Sequence, residues 1–199
     1  MLMMLPKKHV RTTVETITTW STTDSSGITL TNDNLTAGTA HTSTSWNIVR
    51  ATKGLNTGRY VFEVNGSTVN SNYSYGLCTV DTPLNVRLGT VGTAVSRQGN
   101  GGFLIVSNMI RSASSFFSGT VATMMFAIDF DAGSCWIQHP NRTWVAGSPT
   151  SGSSAFTFTP NTRLYPCAGI NGSYSGLVNL NVGTNGFTYD IPEGFNAWL

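Results

Sequence analysis

The chain has 199 residues, 40% of them hydrophobic and 10% charged, which is one domain's worth with enough apolar surface for a core built without disulfide or metal staples. Its 29 Thr, 21 Ser and 17 Asn, with 21 Gly, are not the Ala/Glu/Lys/Leu/Arg mixture of long exposed helices, so a helical bundle or coiled coil is excluded, and 11% aromatics exclude charged disorder. The net charge of +2 is carried by Lys7, Lys8 and Arg11 ahead of the first acid, Glu15; the remaining 8 basic and 9 acidic residues leave a nearly neutral body, without the basic stripe that nucleic-acid binding needs.

Residues 1–22 read as an extended arm, pairing as a strand either with its own sheet or with another chain, and 23–199 as the folded body. Met1 to Leu5 is apolar, but Pro6, Lys7 and Lys8 follow it. That reverses the order of a signal peptide, so no Sec export is expected, and no apolar run approaches a membrane span. The stretch from Val10 to Trp20 is dominated by β-branched residues, which are stiff at χ1 and suit a strand. Val10, Val14, Ile17 and Trp20 are the expected assembly contacts of this arm.

Past the turn cluster Ser21–Gly27, short strand patterns alternate with turn signals. Tyr60, Phe62 and Val64 share one face of a strand. Phe103 to Val106 is a short apolar run. Met124, Phe126, Ile128 and Phe130 share a face, with Met125, Ala127 and Asp129 opposite. A turn at Asp131-Ala132-Gly133 leads to a return strand over 135–138. Phe156 and Phe158 alternate with Thr157 and Thr159, and Val178, Leu180 and Val182 with Leu177, Asn179 and Asn181. The Asn-Gly pairs at 65–66, 100–101, 171–172 and 185–186 are read as turn positions with φ > 0. The sum is an all-β fold, a two-sheet antiparallel β-sandwich with an N-terminal arm.

Little in the sequence points to bond-breaking chemistry. Cys78, Cys135 and Cys167 are odd in number and lack metal spacing, so three buried free thiols are expected. Asp129-x-Asp131 lacks the further oxygen ligands that a calcium loop needs, and is read as a hairpin corner with Asp131 making a side-chain turn bond. Glu15, Glu63 and Glu193 are far apart and form no paired-acid motif; Glu63, mid-strand, reads as a framework carboxylate. No metal and no cofactor is expected. Loops at the ends of a sandwich are the better place for binding. Tyr73 and Tyr75 from the stretch 70–75, Arg87, Arg97 and Asn100 from 81–102, and Arg142 and Trp144 from 138–154 are the candidates, because Tyr, Trp and Arg are the usual interface anchors.

Five segments carry a resemblance. The run from Arg50 to Val64 resembles the early strand pair of SPRY (B30.2-like) domains in the form common in bacteriophage proteins. Tyr75-Gly76-Leu77-Cys78 is similar to the strand that follows, and Phe126 to Ile137 (FAIDFDAGSCWI) to the family's most recognisable hairpin. Leu164 to Ile170 resembles the "LYPA" strand, and Gly186 to Trp198, with Ile191-Pro192-Glu193-Gly194-Phe195-Asn196-Ala197-Trp198, the ending of phage examples. The resemblance spans roughly residues 27–198 and leaves the arm outside it. It implies a concanavalin-like jelly roll that binds through its loops, with no cofactor and no catalysis. It further implies a virion structural protein, a head decoration, fibre or tail-associated module assembled in the host cytoplasm. Its partners would be capsid or tail proteins reached through the arm by strand addition, or further copies of itself. The alternative is a module that binds a host receptor or glycan.

Overall fold

The structure, a computed structural model, describes residues 16–39, 44–66, 72–90, 94–98, 103–106, 109–112, 122–138, 143–145, 147–152 and 156–199. Among them every named element is a strand. In chain order these are β1 (Trp20–Ser25), β2 (Ile28–Thr31), β3 (Thr36–Thr39), β4 (Trp46–Ala51), β5 (Arg59–Gly66), β6 (Tyr73–Cys78), β7 (Ala94–Gln98) and β8 (Phe103–Val106). They continue with β9 (Met109–Ser112), β10 (Ala122–Asp129), β11 (Ser134–Gln138), β12 (Phe156–Thr157), β13 (Tyr165–Asn171), β14 (Leu177–Asn181) and β15 (Asn196–Ala197).

Two sheets result. The first runs β1-β4-β13-β6-β7-β8-β9 and the second β12-β11-β10-β5-β14-β3-β2, with β15 added to β5. The ladders are antiparallel except for β15, which lies parallel to β5. The expected two-sheet sandwich is what forms, and no described helix is long and apolar enough to cross a membrane.

The alternations explain the layers. Side chains two residues apart point to the same face of a strand. Phe62 and Val64 of β5, Met124, Phe126 and Ile128 of β10, Cys135 and Ile137 of β11, and Val178 and Leu180 of β14 all point between the sheets. The first sheet answers with Val49, Tyr73, Tyr75, Leu77, Ala168 and Ile170. Phe62 and Phe126, direct partners in the ladder, stack at 4.9 Å. The β10–β11 hairpin turns at Gly133, whose φ is +63° and where a Cβ would lie 2.3 Å from the Phe158 carbonyl oxygen; glycine alone meets both demands.

Several expectations are corrected. Of the two pairings open to the arm, its described end takes the one with its own sheet: Trp20 opens β1, pairs with Ala51 and is fully buried in the core, so it is not an assembly contact. Its indole is a large apolar body with no better place to go once β1 joins the sheet. The stretch 81–102 is not one loop, because Ala94–Gln98 forms β7 against β6. Gly66 and Gly172 do not have positive φ; Asn65-Gly66 lies within β5, between β10 and β14. Only Gly186 of the described pairs has the expected turn conformation, at φ +82°. At the hairpin corner it is Asp129 that accepts from the Ala132 amide, at 2.9 Å, whereas Asp131 accepts from Gly58 at 3.1 Å.

Candidate binding surfaces

Both outer faces of the sandwich are apolar in part and are covered by non-strand chain. On the second sheet, Val61, Met125, Ala127 and Trp136 point outward and pack with Tyr189 and Phe195 of the C-terminal segment. That segment is fastened by Glu63, which is 1% exposed. Its carboxylate accepts from the backbone amides of Thr188 and Tyr189 and from Asn181 Nδ2, each at 3.0 Å. The chain then enters the core: Trp198 is fully buried, meets Phe62 and Phe130 edge-on, and donates Nε1–H to the Lys53 carbonyl at 3.1 Å. Glu63 is thus the framework carboxylate expected, held by neutral N–H donors.

On the first sheet, residues 79–90 cross the outer face. Leu84 and Leu88 pack on Ile48, Cys78 and Cys167, and the Leu84 carbonyl accepts from Ile48 N at 2.8 Å. Here the fastener is Arg50. Its Nε and Nη2 make a two-pronged pair with Asp24 at 2.5 and 2.6 Å, and Nη1 donates to the carbonyls of Thr79 and Thr82 at 3.3 and 2.6 Å. Burial works against the charged guanidinium, but the hydrogen bonds and charge of Asp24 and the nearby Cys78 prevail, and its pKa rises above the ordinary arginine value.

Cys78, Cys135 and Cys167 are free and buried. Burial pushes the Cys135 thiol well above the ordinary range. Cys167 rises for the same reason, reinforced by Cys78, against the opposing influence of Arg50. Such thiols are poor nucleophiles.

The predicted binding residues do not converge. Tyr73 and Tyr75 are 0% and 1% exposed and sit on the inner face of β6. Reading them as loop anchors is therefore wrong: with Leu77 they form the apolar alternation of a core strand, and Ser74, Gly76 and Cys78 take the other face. Their rings stack at 6.4 Å, and burial drives the Tyr75 phenol pKa far up. Arg97 lies in β7 opposite Tyr75. Asn100 and Arg142, like Val10 and Val14 of the arm, lie outside the described residues.

Arg87 and Trp144 remain, on opposite faces. Trp144 bridges to Gln138 and packs, partly buried, against the outer cluster of the second sheet. Arg87, on the segment that covers the first sheet, stands over the ring of Trp46 with Cζ 5.8 Å from its centre. Both are partly exposed, and desolvation lowers the Arg87 pKa. Trp46 was not predicted. Its position two residues before Ile48 and four before Arg50 puts it on the outer face of β4, a signal the alternation of that strand carries. A second pair missed in the sequence is Arg59, whose Nε donates to Asp129 at 2.7 Å and whose guanidinium lies 5.9 Å from the Phe195 ring. Large apolar side chains are also exposed at Val80, Tyr174, Leu177 and Ile191. No group of three or more His, Cys, Asp or Glu able to hold a metal occurs among the described residues.

No family model matches the sequence, and no curated protein matches it. Solved structures do. The SPRY domain of human HERC1 is 17% identical with a TM-score of 0.62, over 81% of this chain and 96% of that one. The TRIM65 PSpry domain is 12% identical with a TM-score of 0.64, over 82% and 88%. Stonustoxin is 18% identical with a TM-score of 0.57; 82% of this chain aligns to 26% of that much longer one. In architecture, then, the chain is similar to the SPRY-type, concanavalin-like β-sandwich.

Proposed function

We propose that this protein is a non-catalytic binding module of a bacteriophage virion, attached to capsid or tail neighbours through residues ahead of β1 and presenting the sandwich outward. The observation that carries the binding reading is the Arg87–Trp46 pair, a cation over an indole at a partly exposed position of the first sheet's outer face. Arginine and tryptophan in that arrangement are favoured anchors of interfaces. The non-catalytic reading is supported by the employment of the buried carboxylates: Glu63 holds backbone amides, and Asp129 holds Arg59 and a turn. The virion setting rests on the phage-type motifs over 50–64, 126–137 and 186–198.

We assign the attachment to residues ahead of 16; the burial of Thr18 and Trp20 in the sandwich supports leaving them out of it. The test uses two variants in the particle that encodes the protein. Removal of residues 1–15 is expected to leave the sandwich folded and abolish incorporation. Trp46→Ala with Arg87→Ala is expected to fold, to be incorporated, and to reduce adsorption to host cells or binding of a particle neighbour. Normal incorporation of the truncated chain contradicts attachment by the arm; unchanged binding by the double variant contradicts the surface.

A further inference from the structure

Three described Asn-Gly pairs sit in different settings, and we infer that one of them, Asn185-Gly186, is a site of spontaneous deamidation that loosens the C-terminal covering of the second sheet. The chemistry needs the amide nitrogen of the following residue to reach the asparagine Cγ. Glycine is the residue that permits this approach, having no Cβ to obstruct it, and the backbone must be free to deform. The nitrogen of Gly186 gives up its proton to solvent base and attacks Cγ of Asn185. A C–N bond forms, the side-chain nitrogen leaves as ammonia, and a succinimide ring results. Water then opens either ring carbonyl to give aspartate or isoaspartate.

Asn65 is protected. It lies within β5, paired with Thr123 on one side and Asn179 on the other, and its Nδ2 donates to Thr123 Oγ1 at 2.8 Å. Asn171 is protected differently. Its Oδ1 accepts from Ser173 N at 3.1 Å, and the nucleophile it would need, Gly172 N, donates to the Ser45 carbonyl at 2.8 Å. Asn185 is exposed in a turn. Gly186 has φ +82° with open space where a Cβ would stand, and its nitrogen is held only by a 3.2 Å bond to Gly183 O within the same turn.

The turn matters because of what it adjoins. Asn181 Nδ2 donates both to the Gly186 carbonyl, at 2.9 Å, and to Glu63. Isoaspartate at 185 lengthens the main chain by one methylene, adds a negative charge, and displaces that carbonyl, so the Glu63 fastening is weakened two residues before Thr188.

The full chain is aged folded at neutral pH, and a parallel sample in urea. Peptide mass mapping follows the amide-to-acid conversion at each site, and enzymatic methylation of isoaspartate counts the isomer. In the folded sample Asn185 is expected to convert on the order of tenfold or more faster than Asn65 and Asn171, with the ratio collapsing towards unity in urea; Asn185→Gln removes the methylation signal of the peptide that carries residue 185. Conversion at Asn185 no faster than at Asn65, or the same ranking in urea as in the folded chain, overturns the inference.

Discussion

On the second sheet a buried carboxylate, Glu63, accepts hydrogen bonds from the amides of the segment that covers it; on the first sheet a buried guanidinium, Arg50, donates to the carbonyls of the segment that covers it. In a chain with so few charges, two are spent holding irregular backbone against a flat apolar face. The choice of sign follows from which backbone groups the covering segment turns inward. The two fastenings also differ in how they are compensated. Arg50 has a counter-ion, Asp24, whose side chain is 32% exposed, whereas the buried partners of Glu63 are neutral donors. Unpaired buried N–H groups are rarer in proteins than under-satisfied C=O groups, which have a second lone pair. The second face therefore depends more heavily on its single residue than the first face does on Arg50.

The largest effect tests where the C-terminal covering ends. Trp198→Ala empties a fully buried site lined by Phe62 and Phe130, and is expected to cost about 3–5 kcal/mol in denaturant unfolding. The comparison itself is sharpened by paired truncations. Glu63→Ala leaves the buried Tyr189 amide and the part-buried Thr188 amide without acceptors and is expected to cost about 3 kcal/mol. Arg50→Ala releases a partly exposed aspartate and two carbonyls, at a cost of about 2 kcal/mol. An Arg50 variant less stable than the Glu63 variant in the same titration breaks the asymmetry.

A smaller effect concerns pH. Burial raises the Cys135 and Cys167 thiols and the Tyr75 phenol above their ordinary values. The unfolded chain ionises first, so stability is complete below the ordinary thiol range and falls as pH rises beyond about 8.5. Thermal melts between neutral and alkaline pH measure this, and Cys135→Ala, compared with wild type, should flatten the alkaline slope. A slope unaffected by that change contradicts the assigned cause.

The sandwich was legible because alternation dictates it: the inward sets of β5, β10 and β14 are readable as every second residue. What alternation hides is the partner of the opposite set. Val61, Met125 and Trp136 look like an outward face, and their covering by Tyr189 and Phe195 is set by a contact between residues more than fifty positions apart. The binding site was less legible. Tyr73 and Tyr75 have the residue types of an interface and the spacing of a core strand, and the spacing prevailed. Arg87 was readable as a loop arginine, but its platform, Trp46, is forty-one residues away in sequence. Arg97 illustrates the same competition, lying within a strand where a loop was expected.

A buried carboxylate, Glu63, fastens the C-terminal segment to the second sheet. Hydrogen exchange at the Thr188 and Tyr189 amides is compared in the wild type and in Glu63→Ala, which removes both acceptor oxygens. Protection of both amides in the wild type, lost in the variant while the β5–β10 ladder stays protected, is the predicted result. Fast exchange of these two amides in the wild type, or equal protection in the two proteins, contradicts it.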